Sequence, residues 1–239
     1  MPNHDPLTAA RLELLWAARI LSAAADATLD KATDDSHSNL GWEAGPQNLT
    51  GRVDAHIHVP TLTLHHGGDS LALDGRTLDE GIDWLAKRLR VKLTLRDYDW
   101  PKEPRSGGVT FSANEEWLAQ VAHWFTLGSR AMADMGVLRV WPHHFDLGYF
   151  HDKGQDGKSI GGGLAVVDDH YPLPYLYVNP YGVDRAADLP ALEQGLWTDK
   201  WFGAVLTAEA LRGPDAVDVA SDFLRDAMAK CHQILGLTP

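Results

Sequence analysis

The stretch Val137-Leu138-Arg139-Val140-Trp141-Pro142-His143-His144-Phe145-Asp146-Leu147-Gly148-Tyr149-Phe150 decides how this chain folds. It is followed, across the polar glycine-containing segment 151–158, by Ser159-Ile160-Gly161-Gly162-Gly163-Leu164-Ala165-Val166-Val167. Both runs are rich in β-branched and aromatic residues and bounded by turn signals, so each reads as a strand. A third strand follows at Tyr175–Asn179, with no helical period between it and the second. Strands that come in runs, rather than alternating with helices, favour antiparallel sheet in an α+β fold over a doubly wound or barrel fold.

The flanking sequence completes that fold. Leu7, Ala10, Leu14, Ala17, Leu21 and Ala24 recur at helical spacing after Pro6, predicting a helix over 6–28. Thr77 followed by Glu80 predicts a capped helix at 78–90. Trp117, Val121, Trp124 and Leu127 mark a helix near 113–134, and Val217, Val219, Phe223, Met228 and Ile234 another over 215–235. Strands are predicted from Val53, from Thr61 to His65, Ser70 to Leu73, Val91 to Leu95 and Phe202 to Leu206, and a polar loop over 34–51. The expectation is a single α+β domain spanning 1–239, an antiparallel sheet packed with these four helices. The Pro-, Gly- and charge-rich segment near 100–110 is the best place for an internal linker.

The formal charge is −12, from 33 acidic and 21 basic residues, and no Lys/Arg cluster offsets it. Such a surface repels phosphate backbones, which argues against a nucleic-acid partner. The apolar run from Leu7 to Ala25 is broken by Arg11, Glu13 and Arg19, unlike a signal peptide or a membrane span. The expectation is a cytoplasmic protein of undefined oligomeric state. Cys231 is the only cysteine, so no intrachain disulfide forms, and its helical apolar context reads as core.

Two imidazoles and a carboxylate within a buried strand need partners or a ligand. On a strand, His144 and Asp146 share a face with Gly148, while His143 joins Trp141, Phe145 and Leu147 on the aromatic face and reads as structural. A hairpin centred in the 151–158 turn places Asp146 opposite Gly163 and Gly148 opposite Gly161, and the glycines leave room for a small-molecule ligand. Asp168, Asp169 and Tyr175 near the end of that hairpin, and His37 and Trp42 in the 34–42 loop, are candidate ligand-binding neighbours. His144 as base or metal ligand, with Asp146 as its orienter or co-ligand, suits a hydrolase or lyase. A divalent metal at His144 and Asp146 is the one cofactor this set suggests, and its identity stays open. The alternative is a non-catalytic ligand-binding or subunit-interaction protein in which the His/Asp pair is structural. Asp54-Ala55-His56-Ile57-His58 matches an amidohydrolase strand motif, but the remaining strands do not alternate with helices as that barrel requires.

With these residues in view, the chain resembles a family of uncharacterised bacterial proteins. The likeness rests on Asp34-Asp35-Ser36-His37 with Asn39-Leu40-Gly41-Trp42, the Arg139–Leu147 segment with its Trp-Pro-His-His-Phe-Asp motif, Ser159-Ile160-Gly161, and Pro174-Tyr175 with Tyr177-Val178. More distantly it is similar to a larger domain-of-unknown-function family that keeps Phe-Asp-Leu without the paired histidines. The closer family ends the strand after the glycines in Ser-Pro-Gly-Asp and places Glu before Pro-Tyr. Here those positions read Ala165-Val166-Val167-Asp168 and Leu173. The resemblance implies a shared architecture and brings no activity.

Overall fold

A computed structural model describes residues 5–97, 105, 108–152, 157–185 and 188–237. It has the expected α+β class, with four α-helices and antiparallel sheets. The chain divides into two compact units, one comprising residues up to Thr126 with Arg139–Asp146, the other Leu127–Leu138 with the chain from Leu147 onward. The expected linker lies largely outside the described residues, and the chain on both sides of it belongs to the first unit.

In the first unit, α1 (Pro6–Thr28) begins where the sequence predicts, with Pro6 in the first turn, and the Asp5 carboxylate caps it by accepting from the backbone N–H groups of Leu7 and Thr8. Its predicted stripe is buried, and so are Arg11, Glu13 and Arg19. Glu13 is ion-paired to Arg105 at 2.8 Å, and the Arg105 guanidinium lies 4.2 Å from the Phe111 ring centroid. Helix α2 (Leu78–Leu89) carries the Thr77/Glu80 capping box and packs against α1.

Five strands follow one another as an antiparallel meander: β1 (Gly41–Glu43), β2 (Asn48–Thr50), β3 (Ala55–His58), β4 (Thr63–His66) and β5 (Asp69–Ala72). The expected loop 34–51 therefore contains two strands, each so short that its own alternation carries little signal. They are held by register with β3, where Leu49 pairs with Ile57. Conversely, 91–95 alternates like a strand yet forms none; Arg90 leaves α2 in the left-handed region, and the segment has no ladder partner among the described residues.

Leu49, Ile57 and Leu64 turn to the core, and His56, His58 and His65 to the other face. His56 and His65 are directly paired and stack at 4.7 Å. Burial first, then charge on His56 and His58, holds the His65 imidazole below its ordinary range. The unfolded chain thus binds a proton at this position where the folded sheet does not, so stability falls as pH drops from about 6.5 through the lower folded value. Thermal denaturation should show Tm decreasing between about pH 7 and pH 5, with part of that decrease removed in His65→Gln and no difference at about pH 8. Parallel curves for the two proteins would contradict this.

The second unit contains the end of α3 (Glu115–Ala131), α4 (Ala216–Leu235) and a sheet. Within it the strand order is β10 (Leu196–Thr198), β11 (Gly203–Thr207), β9 (Tyr175–Tyr181), β8 (Ser159–Ala165) and β7 (Asp146–Asp152). Helix α4 packs against β8, β9 and β11. Cys231 is a core residue as expected, its thiol pushed up to about 12 by burial.

Val137–Phe150 is not one strand. β6 (Arg139–Val140) bridges Leu40 in the first unit, residues 142–144 form a turn, and β7 starts at Asp146. Pro142 has no N–H for a ladder, and Phe145 at φ 55° reverses the chain direction. The β7–β8 hairpin is also shifted by two residues from the expected register. An alanine Cβ at Gly163 would stand 2.9 Å from the Gly148 Cα, so Gly148 lies beside Gly163 rather than Gly161.

Candidate functional site

The turn Trp141–Asp146 is closed by its own backbone. The Phe145 N–H donates to the Trp141 carbonyl at 2.7 Å, and the Trp141 N–H to the Asp146 carbonyl at 3.1 Å. Left-handed φ is uncommon for an aromatic residue and costs on the order of 1–2 kcal/mol. Packing holds it: Phe145 is fully buried, its ring 5.4 Å from Phe125, which in turn meets Trp42 edge-on at 5.5 Å. The Arg11 guanidinium, buried on α1, donates to the His144 carbonyl and pins the outer side of the turn.

This geometry changes the placement expected for the two histidines. The side-chain alternation that placed His144 beside Asp146 requires a strand, and His144 sits instead in the turn with its imidazole exposed. His143 is the half-buried one, its ring between Trp141 at 6.1 Å and His144 at 4.5 Å. Burial pushes the His143 imidazole below its ordinary range and nearby His144 adds to that; Asp146 and Asp35 pull it up, and Arg19 pushes it down. Asp146 is buried at the start of β7, and the Arg19 guanidinium lies 4.4 Å from the Trp16 ring centroid. His143 therefore lies within the electrostatic reach of two carboxylates and a buried arginine, all of the first unit.

His37 and Trp42 lie in the same unit, each in contact with neighbouring side chains of it. His37 Nδ1 accepts the Ala32 N–H at 3.2 Å, and its Nε2 bonds Asp26 at 2.8 Å. A backbone N–H can only donate, so Nδ1 is the acceptor and Nε2 carries the proton shared with Asp26. Arg96 joins Asp26 at 2.6 Å to Asp35 at 2.7 Å, tying the 34–38 loop to α1. Both ring nitrogens are engaged in that clamp. Trp42 belongs to the aromatic chain with Phe125 and Phe145, and its buried indole N–H has no acceptor among the described residues.

Asp168, Asp169 and Tyr175 lie in the second unit. The Asp168 carboxylate accepts the N–H groups of His170 at 2.8 Å and Tyr171 at 2.9 Å, and also the Tyr175 hydroxyl. This closes the 168–171 turn onto β9, while Asp169 is exposed. The glycines of β8 are occupied as well. The Tyr149 ring covers Gly162, and Tyr177 and Tyr181 lie over Gly163 and Gly161. The room expected for a ligand inside the hairpin is filled by tyrosines.

Among the described residues, no group of three or more His, Cys, Asp or Glu side chains is placed to hold a metal ion. None of their helices is long and apolar enough to cross a membrane. Sequence reasoning did not anticipate that Arg19 lies within electrostatic reach of His143. The signal for Arg19 was present, a cation inside the apolar stripe of α1, where a charge needs a reason. No family model, curated protein or solved structure matches the chain. Any reading of function therefore rests on the chain's own residues.

Proposed function

We propose that the Trp141–Asp146 turn is a general acid–base centre acting on a small organic molecule, in a hydrolysis or elimination, with His143 as the base. The observation that carries this is the half-buried His143 imidazole, kept below its ordinary range beside Asp146, Asp35 and Arg19 in a turn that holds a left-handed Phe145. An imidazole that is neutral at physiological pH can take a proton from water or from an activated C–H. The Asp146 carboxylate favours the imidazolium that results. The Arg19 guanidinium would favour negative charge developing on the substrate. Backbone strain at an ordered site is a recognised companion of function, and here it sits next to the proposed base. His144, exposed on the outer side of the turn, serves as a contact for substrate rather than as the base.

The test is a panel of ester, amide and phosphomonoester reporter substrates. Turnover of at least one class is expected, lowered by about 100-fold or more in His143→Gln and changed only a few-fold in His144→Gln. Equal turnover in wild type and His143→Gln, or none across the panel, would overturn the assignment.

A further inference from the structure

The second unit presents a face that the acid–base turn does not use. Along β9, Tyr175, Tyr177, Asn179 and Tyr181 point to one side of the sheet, paired on β8 with Ala165, Gly163, Gly161 and Ser159. Helix α4 lies on the other side, where Tyr149 covers Gly162 within electrostatic reach of Cys231. On the side away from α4 the glycines let rings lie down on the sheet. An alanine Cβ at Gly163 would meet the Tyr177 hydroxyl at 2.8 Å, and one at Gly161 would meet Tyr181 at 3.1 Å and Phe150 at 3.6 Å. Tyr171 and Trp201 extend the surface, with ring centroids 4.7 Å and 5.9 Å from Tyr175. At its outer end Phe150 is 54% exposed and Tyr181 45%.

Several of the charges around this surface are engaged within the protein. Asp168 is held by two backbone N–H groups and Tyr175. Lys200 donates to the His170 carbonyl and lies 4.1 Å from the Tyr171 ring centroid. Arg185 donates to the carbonyls of Thr198 and Trp201. A face of flat rings with polar edges matches a ligand that has apolar ring faces rimmed by hydroxyls. The chain's charge of −12 disfavours the main competitor for stacked aromatics, a single-stranded nucleic acid.

We propose that this face of the second unit's sheet is a binding platform for a neutral carbohydrate chain, whose sugar rings stack on Phe150, Tyr181, Tyr177 and Trp201. With strands about 4.8 Å apart, the five strands span about 19 Å, enough for several sugar units in a row.

The experiment is native electrophoresis of the full chain in gels containing soluble β-glucan, xylan or starch, with a fluorescent oligothymidylate as the anionic counter-probe. The hexasaccharide of any retarding polymer is then titrated calorimetrically. Retardation by at least one polymer is expected, with affinity lowered by about tenfold or more in both Phe150→Ala and Tyr181→Ala. Both side chains are exposed, so circular dichroism should confirm that these variants fold. His143→Gln should bind as wild type does, which separates this site from the acid–base turn. Retardation by none of the three polymers, binding unchanged in both variants, or binding of oligothymidylate alone would each overturn the proposal.

Discussion

Gly163→Ala is expected to destabilise the second unit by about 3 kcal/mol or more. The added Cβ would stand 2.5 Å from the Leu147 carbonyl oxygen and 2.9 Å from the Gly148 Cα, as well as 2.8 Å from the Tyr177 hydroxyl. Two of those three neighbours are backbone of the adjacent strand. They cannot swing aside as a side-chain end can, so the strands would have to separate or the ladder break. All seven residues of β8 are buried, so an added Cβ has no empty space to enter. Gly45→Ala is the control, since nothing lies within 4 Å of a Cβ there, and its effect should stay within about 0.5 kcal/mol. Urea unfolding followed by circular dichroism measures both. Equal midpoints for the two variants would show that the glycines of β8 are not there for close approach of the strands.

Phe145 gives the second large effect, and its sign pattern is unusual. Removing the buried ring in Phe145→Ala forfeits its packing on Phe125 and leaves a cavity, a loss of about 3–5 kcal/mol. The variant keeps the left-handed backbone, which alanine tolerates no better than phenylalanine. Glycine adopts that φ freely, so Phe145→Gly should be more stable than Phe145→Ala by about 1 kcal/mol. In ordinary strand or helix positions glycine is the worse replacement, so the inverted order reports the backbone conformation directly. Denaturant midpoints of the two variants decide it. Alanine more stable than glycine would place Phe145 outside the left-handed region and remove the strain from the turn.

Local chemistry made part of this fold legible in the sequence. Pro6 and the apolar period placed α1 at its observed limits, and Thr77 with Glu80 placed the start of α2. Those signals lie within one turn of the residues they organise. The three-residue strands β1 and β2 were not legible, because each is defined by pairing with a neighbour rather than by its own pattern. The alternation at 91–95 misled for the converse reason, since it has no ladder partner among the described residues.

The site divides along the same line. Of the strand predicted over Val137–Phe150, the part from Asp146 onward is a strand, and Gly148 does share a face with Gly163. Pro142 was the warning that the strand could not run through the histidines. The left-handed residue that turns them was not foreseeable, because phenylalanine has no preference for that region. His37 was singled out for its flanking carboxylates, but its partners are Asp26 on α1 and the distant Arg96, which only the fold brings together. In the second unit Asp168 and Tyr175 were both noticed, and the structure joins them to each other.

The central claim is that His143 is a base kept neutral in the turn and tuned by Asp146. Its most direct test is an NMR titration of the imidazole nitrogens in the full chain, assigned with His143→Gln, in wild type and in Asp146→Asn. His143 is expected to titrate below the ordinary imidazole value of about 6.5. It should move lower still in Asp146→Asn, because the carboxylate that favours the charged ring is gone. A His143 that titrates at or above the ordinary value and does not respond to Asp146→Asn would contradict the account.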